Sequence, residues 1–137
     1  MKKLLFIAFV GLTLVACNKN QKAVKTLDGD WKATSWTESS GAVSVDYIAA
    51  GLGYELQFSN CKLKTDTYCT FISILTGNGE TATNSDQYRV TDDGEKLQVI
   101  DDDGDLELYT IVTLDKSNLE LSYIDDDITG TIKLEKL

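Results

Sequence analysis

The sequence predicts an all-β fold, an eight-stranded antiparallel up-and-down barrel with meander connectivity. Three observations carry that expectation. From Asp30 onward apolar residues recur with period two, and no helical stripe runs longer than a turn or two. Turn-forming residues divide the pattern into short runs. When hairpins are closed at those turns, apolar residues fall opposite one another on a shared face, as an antiparallel pair requires.

The runs place strands at 30–37, 53–63, 67–76, 86–92, 95–102, 105–114, 119–124 and 127–135. Eight short strands joined mostly by tight turns are the pattern of a closed meander. A turn at Asp93-Gly94 sets Val90 against Leu97 and Tyr88 against Val99. A two-residue turn at Asp103-Gly104 sets Val99 against Leu108 and Leu97 against Thr110. A loop over 115–118 sets Leu114 against Leu119 and Val112 against Leu121. A turn at Asp125-Asp126 sets Tyr123 against Ile128 and Leu119 against Ile132.

The cysteines supply an independent check. A three-residue loop, Lys64-Thr65-Asp66, places Cys61 opposite Cys69, and the same register pairs Phe58 with Ile72 and Leu56 with Ile74 on the other face. A cross-strand disulfide is the expected state in an oxidising compartment. A redox or metal role is the alternative, but the spacing is not C-x-x-C.

Residues 1–16 read as a targeting leader, separate from the fold. Lys2 and Lys3 are followed by an apolar run over 4–15, broken only by Gly11 and Thr13. A bilayer span needs about 20 apolar residues, so this run is too short. It ends in Leu14-Val15-Ala16-Cys17, which resembles the lipobox of bacterial lipoproteins. That resemblance implies cleavage before Cys17 and lipid attachment on its thiol. Dual acylation gives stable membrane anchoring. The expected organisation is a signal peptide at 1–16, a lipidated tether at 17–28 and a barrel domain at 29–137. Asn18 follows the cysteine where an aspartate resembles an inner-membrane retention signal, and no acidic run resembling a surface-export signal follows. The resemblance thus implies an outer-membrane lipoprotein, facing the periplasm rather than exposed at the surface.

Removing the leader leaves 121 of 137 residues, one domain's worth. Lys19, Lys22 and Lys25 lie in the tether, while residues 26–137 carry all 22 acids against 8 bases, a net of −14. Such a body is repelled by nucleic acid and anionic head groups, so a nucleic-acid partner is not expected. The chain has no histidine, which removes the usual general base and the commonest metal ligand. With one of three cysteines lipidated, an ordinary zinc site is excluded. No nucleophile, base or oxyanion donor is legible as a motif, so an enzyme is not expected.

Leu27-Asp28-Gly29-Asp30-Trp31 opens the first strand. This L-x-G-x-W pattern resembles the G-x-W opening of lipocalin-like barrels, and with the lipobox the chain resembles the small lipocalin-like lipoproteins of Bacteroidetes. Family lipocalins often stack an arginine of the last strand on that tryptophan; the one arginine here, Arg89, falls on the fourth strand.

An eight-stranded barrel has room to be filled by side chains or to hold one small ligand. Parity points Trp31, Tyr54, Leu56, Phe58, Ile72, Ile74, Tyr88, Val90, Leu97, Val99, Leu108, Val112, Leu121 and Tyr123 inward, and Glu55 and Glu107 outward. The candidate ligand contacts are Trp31, Tyr54, Phe58, Tyr88 and Tyr123, with Trp31 also readable as a core aromatic plugging one end. Loops at 38–52 and 77–85 share one rim, the expected mouth, with a short helix over 42–53 contributing Val45, Tyr47, Ile48 and Leu52. The same rim carries Asp101, Asp102, Asp103, Asp105, Asp125, Asp126 and Asp127. Calcium takes six to eight oxygens, so Asp101, Asp103, Asp105, Asp125 and Asp127 are the candidate metal set, against the plainer reading of solvated turns. No other cofactor is expected. Two functions follow. One is a membrane-anchored barrel binding a small apolar or amphipathic ligand; the other is a protein-interaction or inhibitor lipoprotein that meets a cell-envelope protein through the rim loops of a filled barrel.

Overall fold

The computed structural model describes residues 19–59, 61 and 68–137. The leader, Cys17 and the loop expected at Lys64-Thr65-Asp66 lie outside the described residues. Nine strands follow a short helix, α1, at residues 19–27: β1 (Gly29–Ser40), β2 (Val43–Asp46), β3 (Gly53–Phe58), β4 (Cys69–Gly77), β5 (Glu80–Thr91), β6 (Lys96–Ile100), β7 (Leu106–Leu114), β8 (Asn118–Asp125) and β9 (Ile128–Lys136). Every pairing is antiparallel, and β1 pairs with β9, closing an eight-stranded barrel. β2 is an extra strand, folded back on the upper half of β1. This is the architecture of a lipocalin-like barrel.

The helix is the first departure from expectation. Residues read as a free tether are helical from Lys19, and Ala23, Val24 and Leu27 are buried in the core. These three form one short stripe, too brief to announce a helix by periodicity. Leu27 is held by Trp31, whose indole Nε1–H donates to its carbonyl at 2.8 Å. Asn20 accepts the Gly94 N–H at 2.7 Å, fixing α1 against the turn between β5 and β6. α1 therefore plugs one end of the barrel, and Lys19, Lys22 and Lys25 lie on its exposed side. Over the plugged end, Lys136 of the last strand sets its ammonium 5.2 Å from the Trp31 ring centroid. A lysine of the last strand thus makes a cation–π contact with the first strand's tryptophan.

Registers set the faces. Val90 meets Leu97, Tyr88 meets Val99, and Leu114 meets Leu119, all as expected. The connection between β6 and β7 is one residue off, however. Asp101 organises a five-residue loop, its carboxylate accepting the N–H groups of Asp103 at 3.0 Å and Asp105 at 2.8 Å. Val99 consequently faces Glu107, and Leu97 faces Tyr109. Glu107 and Tyr109 point inward, whereas Leu108, expected inside, is 51% exposed. A bulge at Val112 restores the phase, so Ile111 rather than Val112 opposes Leu121, and Val112 is 53% exposed.

The last hairpin turns at Asp126-Asp127, with Asp126 left-handed at φ 49°. That slides the register by two, which preserves every face: Leu119 meets Leu134, Leu121 meets Ile132 and Tyr123 meets Gly130. Between β3 and β4, Phe58 opposes Phe71 rather than Ile72, and Leu56 opposes Ser73. Ile72 and Ile74 thus leave the core face, and Phe71 takes the inward place. The reason is that β3 ends at Phe58, so Cys61 lies beyond the ladder. Cys61 and Cys69 are nonetheless bridged, with Cα atoms 5.9 Å apart and a separation of 8 residues. On the chain-entropy model so short a loop is worth about 2.5 kcal/mol.

The two long loops are also mostly sheet. β4 and β5 meet at Asn78-Gly79, both at positive φ (52° and 79°), the signature of a tight hairpin turn. Residues 80–85 are exposed and, but for Ala82, polar, so no apolar alternation marks them as strand. Residues 42–53 form β2 and a run of turns instead of a helix.

Candidate ligand-binding site at the open end

The core fills the barrel from α1 upward. Phe58 stacks on Phe71 at 5.4 Å, and Tyr88 meets both rings edge-on at 5.0 and 5.9 Å. Burial pushes the Tyr88 hydroxyl up to about 12, with Asp28 adding to the shift. Of the expected ligand contacts, Trp31 and Tyr88 therefore belong to the packed half. Phe58 forms part of the floor above it, and Tyr54 and Tyr123 reach the open half.

Above that floor the interior changes character. A second bulge, between Ala33 and Ser35, turns Trp36 inward opposite Ile132. Trp36 lies 5.1 Å from both the Tyr47 and Tyr54 rings. Its Nε1–H donates to the Tyr123 hydroxyl at 2.9 Å, and Tyr123 donates in turn to Glu38 Oε1. Tyr47 donates to the other oxygen of Glu38 at 2.7 Å. Tyr109 meets Tyr123 edge-on at 5.5 Å and donates to Glu107 at 2.8 Å. Gly130 lets the Tyr123 ring lie flat on the wall, because a Cβ there would stand 2.0 Å from the ring. Asp46 supports the whole from outside: its carboxylate accepts the N–H groups of Trp36, Ile48 and Ala49, and these bonds, Ala49's foremost, hold it below the usual carboxylate range.

Among the spaces at this end of the barrel, three are linked by shared lining residues. An inner void of about 60 Å³ has a floor of Leu56, Phe58, Phe71, Leu97, Val99, Leu121 and Ile132 and a lip of Tyr54, Ser73, Asp86, Glu107 and Tyr109. A cleft of about 400 Å³ lies where β7 and β8 splay apart, lined by Glu107, Tyr109, Tyr123 and Asp125 with Leu106, Leu108 and Ile124. A third, about 300 Å³, separates β5 from β6 and is lined by Asp86, Asp101 and Asp102 among others. Among the described residues no lysine or arginine lines any of the three.

The electrostatics follow from that lining. Burial pushes the Tyr54 hydroxyl up to about 12, with Glu107 and Asp86 adding to the shift. The Tyr109 and Tyr123 hydroxyls are raised as well, by burial first and then by their bonds to Glu107 and Glu38. The Asp86 carboxyl is held above the usual range by burial first, then by Asp102, Glu107 and Asp101.

The acidic rim is divided between two turns. Asp101, Asp103 and Asp105 share one loop, in which the Asp101 carboxylate serves the loop's own N–H groups. Asp125 ends β8 and Asp127 lies in the last turn. Among the described residues no group of three or more acidic or cysteine side chains converges as a metal site.

Sequence parity missed Trp36, Glu38, Glu107 and Tyr109; Asp86 is in step with the inward Tyr88 and Val90, though it was not among the expected contacts. Trp36 and Glu38 are brought inward by the bulge after Ala33, and Glu107 and Tyr109 by the Asp101 loop. Tyr47 was foreseen as a contact, though from a helix rather than a turn.

No protein-family model matches the chain, and no curated protein matches it either. The fold and the open end define its class on their own: a lipocalin-like antiparallel barrel, closed by a helix at one end and aromatic and acidic at the other.

Proposed function

We propose that the protein is a membrane-tethered lipocalin-like binding protein that takes a small amphipathic molecule at its open end. The observation that carries this reading is the inner void, apolar beneath and polar at its lip, which shares Glu107 and Tyr109 with a larger cleft. Small-molecule sites combine apolar walls with a few placed polar groups, usually over about 300–1,000 Å³. The void alone falls below that range, so the bound molecule occupies a cleft as well. The deep core, with Trp31 and Tyr88, contributes stiffness rather than contact.

The tether reading rests on the lipobox and on α1. Cys17 stands two residues before Lys19, and the exposed lysines of α1 face outward from the plugged end. An outer-membrane site facing the periplasm is the location this reading assigns. Among the described residues no helix is long and apolar enough to cross a membrane.

A second reading has its own support. Leu106, Leu108 and Ile124 are 61%, 51% and 79% exposed around one cleft, an apolar rim patch that a protein partner would cover. Native mass spectrometry of the full chain from its own host separates the two. A co-purifying molecule of a few hundred daltons is expected. A bare protein mass, with no thermal shift across a panel of amphiphiles, would overturn the binding reading.

A further inference from the structure

The three spaces at the open end meet on two carboxylates. Asp86 lines both the inner void and the cleft between β5 and β6, and Glu107 lines both the void and the cleft between β7 and β8. Each cleft therefore shares a carboxylate with the void that stands over the apolar floor. The walls beside those carboxylates are aromatic: Tyr54 and Tyr109 at the void, Tyr109 and Tyr123 at the cleft.

What the arrangement lacks is a positive charge. The fold brings Asp86 close enough to Asp102, Glu107 and Asp101 for their charges to add to burial in raising its carboxyl above the usual range, and among the described residues no basic side chain lines any of the three spaces. Apolar ligands need no such charges, and fatty-acid carboxylates would be repelled by them. Metal ions fit the void poorly: calcium wants six to eight oxygens, whereas its floor is built of seven apolar side chains. An alkylated ammonium suits all three elements at once, since its charge is met by carboxylates, its methyl groups by tyrosine rings and its chain by the apolar floor.

We infer that the open end selects organic cations: an alkylammonium amphiphile lays its apolar part on Leu56, Phe58, Val99 and Leu121 and sets its nitrogen beside Asp86 and Glu107. This rests on the open end being a small-molecule site, and it names the chemical class of that molecule.

The test compares three probes with one tail and three charges: octyltrimethylammonium, 1-octanol and octanoate, each titrated calorimetrically into the full chain at low ionic strength. Octyltrimethylammonium is expected to bind at least tenfold more tightly than octanol, and octanoate not measurably. Raising salt from 20 to 500 mM should weaken the ammonium several-fold and leave octanol unchanged. In the double variant Asp86→Asn with Glu107→Gln, the ammonium-to-octanol preference should fall to near one. The salt series keeps the inference testable in the unaltered chain if that variant does not fold. Equal affinity for ammonium and octanol, or tighter octanoate, would overturn the inference while leaving a small-molecule site in place. Failure of all three probes to bind would remove both.

Discussion

Leu27 offers the sharpest test of how the barrel is closed. It is 0% exposed and sits between α1 and Trp31 in the core. Truncation to alanine removes three carbons, worth about 0.8 kcal/mol each in transfer, and leaves a void whose walls relax only in part. The expected loss is about 3 kcal/mol, near the middle of the range for buried leucines. For a domain of this size it corresponds to a fall in Tm of roughly 10 °C. Urea denaturation followed by tryptophan fluorescence reads it directly, since Trp31 adjoins the site. Lys22→Ala, on the outer side of the same helix, should change stability by less than about 0.5 kcal/mol. If Leu27→Ala matched Lys22→Ala, α1 would be a tether that happens to lie near the barrel, and the plugged end would have no energetic meaning.

Three further outcomes are expected. Gly130→Ala drives a Cβ into the Tyr123 ring; it should cost about 1–3 kcal/mol and alter the near-ultraviolet circular dichroism as Tyr123 leaves Glu38 and Trp36. An unchanged spectrum would mean the ring is not seated there. Ile111→Ala should destabilise by about 3 kcal/mol, whereas Leu108→Ser should fall within about 0.5 kcal/mol. The reverse order in thermal melts would reinstate the two-residue turn at Asp103-Gly104. Asp86 has its folded pKa raised above 3.8, so the unfolded chain releases that proton first and stability falls as pH climbs through the folded value. Asp86→Asn should therefore raise Tm modestly near pH 7 and leave it unaltered near pH 3. A lower Tm near pH 7 would show that the carboxylate is favourably held.

The meander was legible because alternation survives small errors of register. Val90 with Leu97, Tyr88 with Val99 and Leu114 with Leu119 are ordinary apolar pairs across strands, and a two-residue slide in the last hairpin leaves their neighbours facing the same way. The site was much less legible, because odd-numbered shifts created it. The bulges after Ala33 and at Val112, and the loop tied by Asp101, each reverse parity over a few residues. Those reversals send Trp36, Glu38, Glu107 and Tyr109 into the mouth and Leu108 out to solvent. Carboxylate-to-backbone bonds decide such turns, and apolar periodicity carries no record of them. The arm at 80–85 escaped notice for a related reason: strands that bury neither face show no alternation.

The plugged base has a mechanical consequence. Lipid on Cys17 would leave only Asn18 before Lys19, the first described residue of a helix docked into the barrel. So short a leash would leave the molecule little freedom to tip over. β1 spans 12 residues, and with strand tilt the opposite rim stands roughly 30 Å away along the barrel axis. Cargo would then be exchanged with the surrounding fluid, at a fixed height above the lipid, and not drawn sideways out of the leaflet that holds the anchor.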